Sequence, residues 1–84
     1  MSVKKAIDII LYIDHCIRTK SARSPKEMAE KIGISERQLY KYLSLMKKMG
    51  APIEYKRNIR MYKYRENGSF FIGFLNKYKT LINN

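Results

Sequence analysis

The residues of this chain whose types and spacing suit chemistry are cations and hydroxyls. Ser35, Glu36, Arg37, Tyr40, Lys41 and Ser44 recur so that a helix over this stretch turns them away from Leu39, Leu43 and Met46. On such a face Arg37 suits a bidentate bond to a guanine edge. Tyr40 suits a sugar or a thymine methyl, and Lys41 reaches a base or a phosphate. Arg37 and Lys41 are four residues apart and both positive, which slightly destabilises an isolated helix and speaks against plain solvation. A second group, Lys56, Arg57, Arg60 and Lys63, suits a phosphate track or the minor groove. Lys26 stands at a helix start, where backbone amides are ready donors for phosphate oxygens. Lys47 and Lys48, near the negative end of a helix dipole, read as solvated.

Catalysis finds no such support. His15 and Cys16 are neighbours on a helix, so their side chains diverge by about 100° and form no dyad. No phosphate-binding glycine loop, paired-carboxylate site or metal-ligand spacing occurs. No catalytic residue, metal or cofactor is therefore expected, and the chain reads as a non-enzyme.

Net charge points to the partner. Eighteen Lys and Arg against seven Asp and Glu give a formal charge of +11, with a pI near 10.0. Self-repulsion on this scale costs stability, so a polyanion is the natural partner, nucleic acid before membrane. Eighty-four residues make one domain whose core is too small to house a deep substrate cavity as well. The single Cys16 excludes an internal disulfide and suits a reducing cytoplasm. The apolar run Ile9–Ile13, bracketed by Asp8 and Asp14, is too short for a signal peptide or a membrane span. A cytoplasmic location, at the nucleoid when bound, follows.

The elements that must position these residues are legible in Ser24–Gly50. Ser24, Pro25 and Glu27 form one capping box with proline at the first helical position. Ser35 and Gln38 form another. Between them Gly33 requires a left-handed backbone to end the first of the two helices. Met28, Ala29 and Ile32 give that helix an apolar stripe, and the small Ala29 allows a close, steep crossing. This is a helix-turn-helix. Before it, Val3 to about Arg18 reads as a helix with Val3, Ala6, Ile7, Ile10, Ile13 and Ile17 on its core face. Ile9, Leu11, Tyr12 and Cys16 lie beyond that face. They imply either a central helix packed on two sides or a face that meets a second subunit. Arg18–Arg23 is a basic, polar connection.

After Gly50 and Pro52, which end the third helix, the period changes. Ile53 and Tyr55, then Tyr62 and Tyr64, alternate with Glu54, Lys56, Lys63 and Arg65 around the basic tip 57–60. A hairpin with an inward aromatic face and a cationic tip is a wing. The expected fold is mainly α with a small β-hairpin, a winged helix-turn-helix over residues 1–65. Residues 66–84 form an extension: a turn at 66–69, a short strand at 70–74 and a helix from about Asn76. The extension is too apolar for a free tail and packs on the domain or a dimer partner. A homodimer is expected, built from Ile9, Leu11, Tyr12 and Cys16 with Phe70, Phe71, Phe74, Tyr78, Leu81 and Ile82.

The stretch PKEMAEKIGISERQLYKYL…KKMGAPIEYKRNIRMYKY resembles the N-terminal winged helix-turn-helix, of the type 11 class, of DeoR-like and WYL-domain bacterial transcription regulators. The likeness covers about residues 6 to 65. It is strongest at AEKIGIS, at Leu39-Tyr40 and at Gly50–Tyr55. It implies duplex DNA as partner, bound through the third helix and the wing. Gln38 and Tyr42 stand where that family usually has threonine and aspartate, so its base preference is not carried over. Met61 replaces a common wing glycine, which suggests a less tight wing. The chain ends at Asn84, short of those regulators' effector-sensing domain, so an inducer-responsive mechanism is not expected. The reading is sequence-specific binding of double-stranded DNA by a small transcription regulator. The alternatives are a protein-interaction module and a structured-RNA binder. Continuous cations across the third helix and wing favour DNA, whereas an apolar patch there favours the interaction module.

Overall fold

Two serines set where the helices of the turn motif begin. In the computed structural model, which describes residues 3–22 and 24–71, the Ser24 hydroxyl accepts from the Glu27 amide at 3.0 Å. The Ser35 hydroxyl accepts from the Gln38 amide at 3.1 Å, and the Ser35 amide donates to Gln38 Oε1 at 3.2 Å, so this capping box is reciprocal. The elements are α1 (Val3–Thr19), α2 (Pro25–Ile32), α3 (Glu36–Lys48), β1 (Ile53–Lys56) and β2 (Met61–Tyr64). Gly33 has φ +84°, and its amide and that of Ile34 both close on the Ala29 carbonyl, at 2.8 and 3.0 Å. A Cβ at Gly33 would meet nothing within 4 Å, so the left-handed φ, not lack of space, calls for glycine. Gly50 after α3 does the same at φ +104°.

The core is a three-sided packing around α1, which touches α2 on one side and β2 on another. Ile9, Ile10, Ile13, Cys16 and Ile17 of α1 bury against Met28 and Ala29 of α2, Leu39, Leu43 and Met46 of α3, and Ile53 and Tyr62 of the hairpin. That arrangement is the packing on two sides given as one alternative for α1, and only Val3 of the expected core face departs from it clearly. Ile9 and Cys16 belong to the core, because the helix is covered on two sides and the buried arc is wide. Val3 is 76 % exposed, because the first turn of α1, Val3 to Lys5, projects past the core. Of the supposed surplus on α1, only Leu11 and Tyr12 stay exposed.

The hairpin is antiparallel, with Ile53 opposite Tyr64 and Tyr55 opposite Tyr62. Its four-residue turn, 57–60, ends on Arg60 at φ +54°. Tyr62 is buried and Tyr64 half-buried, as the inward aromatic face requires. Tyr55 is exposed although Tyr62 opposite it is buried, because it is β2 and not β1 that packs against α1. Its ring packs on Tyr62 with centroids 4.9 Å apart. Met61 is buried as well, although the alternation places it on the outward face. Residues 70 and 71 are irregular, so the described start of the expected 70–74 strand is not a strand. The rest of it, and the helix from Asn76, lie outside the described residues. No helix among the described residues is long and apolar enough to cross a membrane.

Asp14 is the feature the sequence reading missed. It is 3 % exposed, and three donors surround its carboxylate. Arg18 Nε donates to Oδ2 at 2.8 Å, while the Tyr64 hydroxyl and the Phe70 amide donate to Oδ1 at 2.6 and 2.8 Å. Burial opposes ionisation of this group. The bonds from Tyr64, Phe70 and Arg18 outweigh it and hold the carboxyl below its ordinary value of 3.8. Burial and the Asp14 carboxylate together push the Tyr64 phenol up.

Asp14→Ala is expected to cost about 2–4 kcal/mol, because it strands a buried hydroxyl and amide and leaves Arg18 unpaired. Urea unfolding measures this. A carboxyl with a lowered folded pKa stabilises above its unfolded value and loses that contribution as pH falls through the folded one. The advantage of the unmodified chain over Asp14→Asn should therefore shrink progressively as the pH falls below the ordinary carboxyl range.

Candidate nucleic-acid interface

A capped, isolated start and a buried stripe leave α3 with one free face. Leu39, Leu43 and Met46 point into the core. At about 100° per residue, Arg37, Lys41, Ser44 and Lys48 cluster on the opposite side of the helix, with Tyr40 and Leu45 flanking them. All six line one shallow exposed surface. Ser35 and Glu36 stand at its N-terminal end. The Ser35, Gln38 and Leu39 amides are committed to the cap, which leaves those of Glu36 and Arg37 as outward donors.

Tyr62 joins the wing to this face. Its phenol is pushed up to about 12, first by burial and then by the neighbouring Tyr40, Tyr55 and Glu36. It stays protonated at physiological pH, and Tyr62 shares the core cluster with Leu39, Leu43 and Met46 of α3. Beyond it, Lys56, Arg57 and Arg60 are exposed around the hairpin turn. Lys56 Nζ lies 3.2 Å from Glu54 Oε1, a solvent-exposed pair that is worth under about 1 kcal/mol and is readily exchanged for another anion.

A family model described as an HTH domain, the type 11 class, matches residues 8–60, from within α1 to the end of the wing turn. The chain belongs to this helix-turn-helix family. Membership supports DNA binding, with DNA as the partner. No curated protein and no solved structure matches the chain.

Not every residue expected at the interface of this HTH domain falls on one surface. Arg37, Tyr40, Lys41 and Ser44 do, and Ser35 and Glu36 adjoin them. Lys63 is half-buried and lines a separate groove with Ile17, Arg18 and Lys20 at the end of α1, to which α3 contributes nothing. Lys26 is exposed in the first turn of α2 and does not line the α3 surface. Two further residues line the same surface. Lys48, read as solvated, shares the face of Arg37 and Lys41. Leu45, 43 % exposed, flanks them. The signal for both was present in the spacing, at four residues from Ser44 and from Lys41. His15 is exposed, with its ring edge-on to Tyr12 at 6.1 Å, while Cys16 is fully buried, so the two do part. Among the described residues no three His, Cys, Asp or Glu side chains come together to hold a metal ion.

Ser35→Ala should cost about 1 kcal/mol, since the Gln38 amide then loses its cap. Hydrogen exchange should show the loss concentrated in the first turn of α3.

Proposed function

We propose that this HTH domain binds double-stranded DNA sequence-specifically and regulates transcription, acting in the cytoplasm at the nucleoid. In this reading α3 lies in the major groove and the wing follows the backbone. Arg37 contacts a guanine, Tyr40 a sugar or thymine methyl, and Lys41 a base or phosphate. Ser35, Glu36 and Ser44 border the same bases. Lys56, Arg57 and Arg60 track phosphates along the wing. Lys26, and Lys63 in its separate groove, reach the flanking backbone.

The observation that carries the reading is the α3 face itself. Arg37, Lys41 and Lys48 run in one row, with Tyr40 on one flank and Leu45 on the other. That composition favours a nucleic acid over a protein partner. A ridge with outward cations and short hydroxyls suits the width of the major groove of duplex DNA better than the deep, narrow one of RNA.

The same reading includes a homodimer, because one small domain offers little surface for tight, specific binding. Ile9 and Cys16 are spent in the core. Leu11, Tyr12 and the exposed Phe71 remain as its described candidates. Phe74, Tyr78, Leu81 and Ile82 lie outside the described residues.

Affinity for a duplex should fall steeply with salt. With about five phosphates neutralised per monomer, log K should fall against log[salt] with a slope of about −4 to −5, measured by fluorescence anisotropy. A slope near zero removes DNA as the main partner. Arg37→Ala should cost about 1–3 kcal/mol on a selected site and relax preference at one base pair. Arg57→Ala should weaken all duplexes evenly and make the slope shallower by about one unit. Equal losses for Arg37→Ala on selected and random duplexes would refute base reading. Sedimentation equilibrium at micromolar protein tests the dimer, and a clean mass of 10.0 kDa sinks it.

A further inference from the structure

A hairpin of two four-residue strands has no stiffness of its own, so its direction is set by what it leans on. Here it leans on two helices. Toward α3 the contact is Tyr62, buried in the same core cluster as Leu39 and Leu43. Toward α1 it is Tyr64, whose hydroxyl is bonded to Asp14 at 2.6 Å. The strands are closed at their base by the Arg65 amide on the Pro52 carbonyl at 2.8 Å. The segment that leaves β2 returns to the same carboxylate, through the Phe70 amide at 2.8 Å. One buried side chain of α1 therefore holds the last residue of β2 and the chain six residues beyond it.

We propose that Asp14, acting through Tyr64 and Phe70, is a positioning residue for DNA binding: it fixes the tilt of the wing relative to α3. This rests on the reading in which the wing cations contact phosphates. The lever is long. Six residues separate Tyr64 from the turn at Asn58, about 20 Å at 3.3 Å per residue. A tilt of about 10° at the base moves the tip by roughly 3.5 Å, more than the whole working range of a hydrogen bond to a phosphate oxygen. Losing the Tyr62 contact would disturb α3 as well, but losing the Tyr64 contact frees the wing alone. Arg18, bonded to the other carboxylate oxygen, sits at the solvent edge of the cluster and keeps the carboxylate turned toward Tyr64.

A double-mutant cycle tests this with a random-sequence duplex of about 20 base pairs, read as the slope of log K against log[salt]. Four proteins are compared: the unmodified chain, Tyr64→Phe, Arg57→Ala with Arg60→Ala, and all three substitutions together. Partial unfolding scales K without changing the slope of the population that binds, so the slope separates wing position from stability. The wing pair should lose about two units of slope. Tyr64→Phe, which touches no DNA, should lose about one to two units and about tenfold in affinity at 100 mM salt. The combined protein should be no shallower than the wing pair alone. A Tyr64→Phe slope equal to that of the unmodified chain, or slope losses that simply add, overturns the proposal while leaving the wing's contact with DNA intact. An unchanged slope for the wing pair refutes the wing contact itself, and the proposal with it. Should Tyr64→Phe fail to fold by circular dichroism, Asp14→Asn takes its place in the cycle with the same expected outcomes, since removal of a negative charge cannot by itself make the slope shallower.

Discussion

A carboxylate closed inside a domain of this size has to be answered by donors, and Asp14 is answered from three directions. Removing an ion from water costs several kcal/mol, so the site is tolerable only when its lone pairs are filled. Arg18 fills one oxygen, and Tyr64 and Phe70 fill the other. Among the described residues no buried side-chain polar atom is left without a partner. Packing alone would allow the hairpin several ways of lying on α1, because apolar contact is not directional. Three bonds to one group select among them. The core supplies the bulk of the cohesion, and Asp14 supplies the register between α1, the wing and the chain that follows.

The parts of the fold legible in the sequence are those whose causes are local. Ser24 and Ser35 bond to amides three residues away, and Gly33 needs only its own φ. The alternation of Ile53 to Tyr64 needs only a turn between two short runs. Asp14 was invisible for the opposite reason. It reads as a polar bracket on an apolar run, and its two distant donors lie 50 and 56 residues further on. The same limit explains Ile9 and Cys16. Helical period gives the direction of a side chain, but how wide an arc is covered depends on which elements pack there.

The interface follows the same division. The α3 face could be counted out from Leu39, Leu43 and Met46, and those positions stand together in the structure. At Lys48 two local signals meet, the negative end of the helix dipole and the spacing from Ser44 and Lys41, and both are satisfied by its exposed position on this face. Lys63 belongs to the wing, as its alternation predicts, but its position late in β2 brings it to the end of α1. Proximity along a hairpin is a poor guide to which side of the molecule a residue serves.

The backbone at Arg60 carries a meaning of its own. A left-handed φ of +54° in a residue with a Cβ costs about 1–2 kcal/mol relative to the ordinary helical region, and glycine would relieve it. In a chain whose folded state already gathers eleven excess positive charges, an arginine there is doubly unfavourable. The turn thus gives up conformational ease at an exposed arginine, the last residue before β2. In the proposed reading, the turn bears that strain so that a cation stands where the wing meets a phosphate.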